Sequence, residues 1–301
     1  MRITRDCGVA VLVVILLGWA SPAPGDGSQR AREVEATGSL RDGERHGYWV
    51  IRLVDGRVEE GPYVDGERHG RWIFRWPDGQ VEEGALESGE RAGPWIHGFP
   101  NGQEQEGAYV AGERQGHWVL RWPDGRVEEG PLVDGDRHGH WIHRSAGGQV
   151  EEGSYVDGTQ EGHWVLRFPG GGVEEGAIRD GRRHGEWVLR DADGGVEEGP
   201  FVDGQRHGPW VSREADGDMA EGPYVDGMAE GRWVFTYASG SVEEGPMVAG
   251  RRHGPFVHRF PGMGVARGNY VDGKREGRWR IRMRSGGFRD EIYRDGKLVQ
   301  R

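Results

Sequence analysis

Glycine returns along this chain on a fixed period of 23 residues. It stands at Gly43, Gly66, Gly89, Gly112, Gly135, Gly158, Gly181, Gly204, Gly227, Gly250, Gly273 and Gly296, with no insertion or deletion between them. Four residues further on, glycine recurs in every full repeat, from Gly47 to Gly277. Thirteen and eighteen residues on it fails once each, at Met263 and at Glu291. A period of this length marks an array of one supersecondary unit, not a set of separate domains. It also excludes helix, because four glycines per repeat, each about 1 kcal/mol worse than alanine in a helix, outweigh any gain in propensity.

The segments between glycines are short, rich in β-branched and aromatic residues, and bounded by turn formers. WIFRWPDGQVEEG (72–84) and WVLRWPDGRVEEG (118–130) are examples. Such segments read as strands, and each 23-mer as a β-hairpin. Six residues after the opening glycine comes Trp49, Trp72, Trp95, Trp118, Trp141, Trp164, Trp187, Trp210, Trp233 or Trp279, with Phe256 in the remaining place. Twenty residues after it comes a large apolar or aromatic slot that includes Tyr63, Tyr109, Tyr155, Phe201, Tyr224, Tyr270 and Tyr293. A lone hairpin is marginal in water, so the repeats must stack to bury these slots. The expected fold is all-β: an elongated single-sheet array of antiparallel β-hairpins that advances roughly 10 Å per repeat. Two registers are open. A two-residue Asp-Gly turn sets Arg75 opposite Glu82, whereas a three-residue Pro-Asp-Gly loop with a bulge sets each Trp opposite the fourth glycine of its repeat. The second is favoured where Pro is present.

The period does not reach the start of the chain. Residues 1–20 carry Arg2 and Arg5, an apolar run from Val9 to Leu17 and small residues at Gly18 and Ala20. They read as a secretory signal peptide cleaved after Ala20, with Ala23 or an uncleaved anchor as alternatives. The run is too short to span a hydrocarbon core of about 30 Å as a helix. The division is then signal peptide 1–20, linker and N-terminal cap 21–37, array of about 11 repeats 38–296, and tail 297–301. The mature chain is expected outside the cytoplasm, periplasmic or extracellular. Its only cysteine, Cys7, falls in the signal, so the mature chain has no disulfide framework and no thiolate metal site.

The cycle GPYVDGERHGRWIFRWPDGQVEEG (61–84) resembles the MORN repeat, which also has 23 residues and glycines at matching spacings; FTYASGSVEEG (235–245) is the nearest match. Two departures, Glu for the aromatic after the third glycine (Glu59, Glu82, Glu128) and Trp for the glycine two places after the second, resemble the variant repeats of bacterial MORN proteins. The resemblance implies a β-hairpin array used for scaffolding, protein contact or membrane association. It implies no catalytic residues.

The net charge of −11, from 39 basic and 50 acidic residues, argues against nucleic acid and disfavours a polybasic grip on lipid. Membrane contact by another route stays open. No nucleophile elbow, phosphate loop or metalloprotease motif occurs, so no enzyme, cofactor or metal is expected. His46, His69, His138, His184, His207 and His253 recur one per repeat, roughly 10 Å apart. That is too far for neighbours to share an ion at bonds of about 2.1 Å, and they read as turn residues. His138, His140 and His143 form the one tighter group. The Glu-Glu pairs point to opposite faces of a strand and read as a solvated face paired with the Arg row. The rows available for an interaction are Trp72, Trp118, Trp164 and Trp210; Glu82, Glu128 and Glu174; and His69, His138 and His184.

The leading functional expectation is a non-enzymatic exported scaffold mediating protein–protein interaction at the cell envelope. The alternatives are a glycan or wall-polymer binding module that uses the Trp row, and an antitoxin-like binding protein, which sits badly with an export signal. Three repeats break the Arg and Glu rows, at 93–107, 213–222 and 258–270. A singular function would be placed there, since regular slots serve the array.

Overall fold

The computed structural model describes residues 33–301; the expected signal peptide and most of the expected linker fall outside them. Every regular element among the described residues is a β-strand. The chain divides into two compact units, ending and beginning at Ala146 and Gly147. In the first, strands run from Glu33–Arg41 and Glu44–Leu53 through Val58–Val64 to Gly139–Arg144. In the second they run from Val150–Val156 to Lys297–Gln300. Within each unit neighbouring strands pair antiparallel, in the expected hairpin array. Residues 33–37, grouped above with the linker and cap, begin the first strand, and most of the tail lies in the last.

Two turns alternate, and each follows from its residues. The Asp65-Gly66 turn joins Val64 directly to Glu67. Both residues have positive φ, +49° and +83°. That is the type I′ geometry whose twist matches the flanking strands, and Asp and Gly tolerate it best. At the other end Pro77, Asp78 and Gly79 form a three-residue loop. The Gly79 N–H donates to the Trp76 carbonyl at 3.1 Å, and the Trp76 N–H to the Gln80 carbonyl at 2.9 Å. This sets Arg75 opposite Val81 and Trp72 opposite Gly84, which decides the register. The same loop forms without proline at Val54-Asp55-Gly56, where Trp49 stands opposite Gly61. The glycine, not the proline, is what these two loops share.

A bulge at His69-Gly70 interrupts the strand between Glu67–Arg68 and Gly70–Arg75. It turns the His69 N–H onto the Pro62 carbonyl at 3.0 Å and brings the Trp72 indole back over the preceding hairpin. The indole Nε1 donates to that same carbonyl, also at 3.0 Å. The ring lies on Gly61, where a Cβ would sit 2.4 Å from it. The fourth glycine of each repeat is therefore the floor under the next repeat's Trp.

Candidate functional site

Strand alternation gives the sheet two unlike faces. On the inner face each Trp is enclosed by its neighbours. Tyr63 meets Trp72 edge-on at 5.2 Å between centroids, Phe74 stacks on it at 5.9 Å, and the Arg68 guanidinium lies 4.7 Å above the ring centre. Trp72 and Trp118 are 0% exposed, Trp164 1% and Trp210 3%. The Trp row is thus the core and offers no ring face to a ligand in solvent. Arginine provides the lid: the same stacking recurs at Arg45, Arg91, Arg137, Arg183, Arg206 and Arg275, at 4.3–4.6 Å.

The first glutamate of each pair shares this face, because it is two residues from the glycine floor. Glu82, Glu128 and Glu174 are therefore inner-face residues, not members of a solvated row. Each is ion-paired with the stacked arginine nine residues later, Arg91, Arg137 or Arg183. His97 and His143, two residues after a Trp, stack against the indoles and reach Glu82 and Glu128 at 3.4 and 3.6 Å. His258 holds Glu243 in the same way at 2.8 Å. At Glu128 the His143 hydrogen bond, against burial and with Arg137, keeps the carboxyl below its usual range. At Glu82 and Glu243 burial pushes upward, and the histidine and arginine outweigh it. Their spacing of two from the Trp or Phe of the row is the sequence signal for these inner-face histidines.

Each remaining histidine row position lies beside the bulge. His184 Nδ1 approaches Asp203 of the following turn at 3.9 Å, and His207 and His253 make the same contact with Asp226 and Asp272 at 3.6 and 3.5 Å. His69 and His138 are exposed. Their backbone N–H groups donate to the Pro62 and Pro131 carbonyls. Among the described residues no three His, Cys, Asp or Glu are grouped as a metal site requires.

The other face is open. It carries the second glutamate of each pair, alternating across strands with an aliphatic residue: Glu60, Ile73, Glu83, Ile96, Glu106 and Val119 are successive cross-strand neighbours. An arginine from the next repeat reaches most of these glutamates, as in Arg121–Glu106 at 2.8 Å and Arg190–Glu175 at 2.6 Å, while Glu83 is met by Arg71 of its own repeat. The Arg190 and Arg75 hydrogen bonds hold Glu175 and Glu60 below the usual carboxylate range. A row of valines ahead of the Asp-Gly turns is exposed, among them Val110, Val133 and Val202 at 62%, 46% and 42%.

The pattern fails most sharply in hairpins ten and eleven. There a cavity of about 550 Å³ opens on the inner face beside Trp279. The open face also changes sign, with Arg267 in the glutamate slot opposite Arg280. Residues 251–301 carry 14 Lys and Arg against 5 Asp and Glu in a chain whose net charge is −11. That reversal is the sequence signal for a singular region, of which the break in the rows is one part.

No family model and no curated protein sequence matches the chain. Among solved structures it is similar to the TCP10 domain of CPAP from Danio rerio, at 13% identity and a TM-score of 0.36, covering 66% of this chain and 97% of that one. It is similar as well to the TCP domain of Drosophila melanogaster SAS-4 (dCPAP) in complex with a proline-rich motif of Ana2 (dSTIL). There the identity is 15% and the TM-score 0.35, with 62% and 99% of the two chains covered. A streptogramin B lyase matches at 10% identity and a TM-score of 0.16, over 81% of each chain. At such identities and TM-scores these likenesses carry no functional inference.

Proposed function

We propose that this protein is an exported, non-enzymatic, MORN-like repeat scaffold that binds a protein partner at the cell envelope through the open face of its sheet. The observation that carries the reading is the contrast between the faces. The inner face is closed by its own arginines, while the open face repeats glutamate, aliphatic residue and arginine from strand to strand. Apolar groups set among charges are the material of a protein interface. Each exposed ion pair contributes only about 0–1 kcal/mol to folding, so the ladder is free to re-pair with a partner at low cost. A wall-polymer platform built on the Trp row has no support in the geometry, since those rings are buried.

The test is capture from solubilised envelope extract and from intact wall material by the tagged chain, alongside a triple variant Glu129→Lys, Glu152→Lys, Glu175→Lys. One stoichiometric protein, lost with the variant while its circular dichroism is unchanged, is the expected result. Retention on wall polymer alone, or capture indifferent to the charge reversal, overturns the reading.

A further inference from the structure

The inner-face ion pair is a rule with five exceptions; one keeps the glutamate and loses the arginine, at Glu151 and Gln160, and the others differ in an instructive way. Arginine two residues after the opening glycine meets glutamate nine residues earlier at Arg68–Glu59, Arg91–Glu82, Arg137–Glu128, Arg183–Glu174, Arg206–Glu197 and Arg252–Glu243. Where Ala36 takes the glutamate slot, Glu33 arrives instead and holds Arg45 with both oxygens. Where Ala220 takes it, the arginine is gone too, replaced by Ala229. Where Gln105 takes it, an amide of nearly the same size replaces the carboxylate, and Arg114 donates from Nε to the Tyr109 hydroxyl at 3.3 Å. Only at Ala266 is the carboxylate removed, the cation kept and the space left empty. Arg275 is half-buried, stacks on Trp279 at 4.5 Å, and donates from Nη1 to the Tyr293 hydroxyl at 3.2 Å. Among the described residues no carboxylate pairs with it.

The vacated space is part of the cavity. Phe260, Ala266, Trp279, Ile281 and Met283 give it apolar walls, and the Arg275 guanidinium lines it. Its volume of about 550 Å³ lies within the range of small-molecule sites. The one acid in the lining, Glu291, is occupied by Arg289 at 2.9 Å and by the Tyr293 hydroxyl at 2.8 Å. Arg284 adds a further cation at the mouth. The loop above also departs from the rule: Met263 stands where the other loops have glycine, and the Met263 N–H donates to the Phe260 carbonyl at 3.2 Å.

We propose that this cavity is a binding site for a carboxylate carried on an apolar or aromatic body, whose carboxylate takes the place of the missing glutamate on Arg275. A charge-assisted pair to a planar guanidinium gives the site its selectivity for a carboxylate over a neutral isostere. The aromatic and aliphatic walls take the body of the ligand. The carboxylate has two natural sources, a free organic acid or the C-terminus of a peptide ending in a large apolar residue.

Calorimetric titration of the full chain tests this with four probes: 4-phenylbutyrate, 4-phenylbutyramide, and a peptide ending in Leu-Phe with a free or an amidated C-terminus. At least one free acid is expected to bind one-to-one, roughly tenfold or more tighter than its amide. The source is whichever acid binds tighter. Ala266→Glu restores the repeat's own ion pair and fills the space, so it should abolish binding while leaving thermal stability equal or higher. Arg275→Gln should remove the preference for acid over amide. Equal binding of acids and amides, undiminished binding by Ala266→Glu, or no binding of either acid overturns the proposal.

Discussion

The hairpin around Trp72 and the one around Trp279 have the same backbone and nearly the same core, yet only the second leaves a charge unanswered. At Trp72 the stacked Arg68 is neutralised by Glu59, which is itself 1% exposed. At Trp279 the stacked Arg275 faces Ala266 and an open cavity. The glycine floor changes as well. Gly61 must be glycine because the Trp72 ring occupies the place of its Cβ, whereas the equivalent position of the last repeat is Glu291, which is held by Arg289 and by the Tyr293 hydroxyl. The comparison teaches that in a repeat array a slot is constrained by the neighbouring repeat more than by its own. Where the neighbour is altered, the slot becomes available for chemistry.

The largest effect should come from the core that both regions share. Trp141→Ala removes a side chain that is 1% exposed, and the destabilisation in urea unfolding should be about 3–5 kcal/mol. A loss below about 1 kcal/mol would show that the indole row is not what holds adjacent hairpins together. The next largest effect separates the two regions. Gly130→Ala puts a Cβ 2.4 Å from the Trp141 ring and should cost about 1–3 kcal/mol. Glu291→Ala, at the equivalent slot, meets no overlying Trp ring among the described residues and should cost less. Equal losses at the two sites would break the claim that the floor is set by the next repeat.

The smallest effect concerns pH. The Glu128 carboxyl is lowered below 4.5 by the His143 hydrogen bond and by Arg137. A carboxyl lowered on folding adds stability that is fully present above its unfolded value and disappears as pH falls through its folded one. The array should therefore lose stability on acidification below about pH 4.5. Glu128→Gln should flatten that acid limb by about 1 kcal/mol or less, as read from unfolding midpoints between pH 3 and 7. An unchanged acid limb would mean that these inner pairs do not sense protonation.

Much of this was legible from residue spacing. The hairpin array, the alternation of turns and the Trp-on-glycine register follow from where Gly43, Trp49, Gly61 and their equivalents stand. The faces were less legible. Glu128 and Glu129 look alike in sequence, yet parity with Gly130 puts the first beneath an arginine and the second in solvent. His97 is less legible from spacing alone, because a histidine in an aliphatic slot looks like drift until Glu82 is found beside it.

The sequence by itself determined the fold, because a 23-residue period of glycines with positive φ, β-branched strands and one Trp per repeat leaves the backbone few alternatives. The tertiary structure alone decided which charges meet. An ion pair between Arg68 and Glu59 depends on the bulge at His69-Gly70, which shifts the register between the paired strands that carry them. The cavity at Ala266 was decided there too: a missing side chain becomes a site only when the packing around it fails to close.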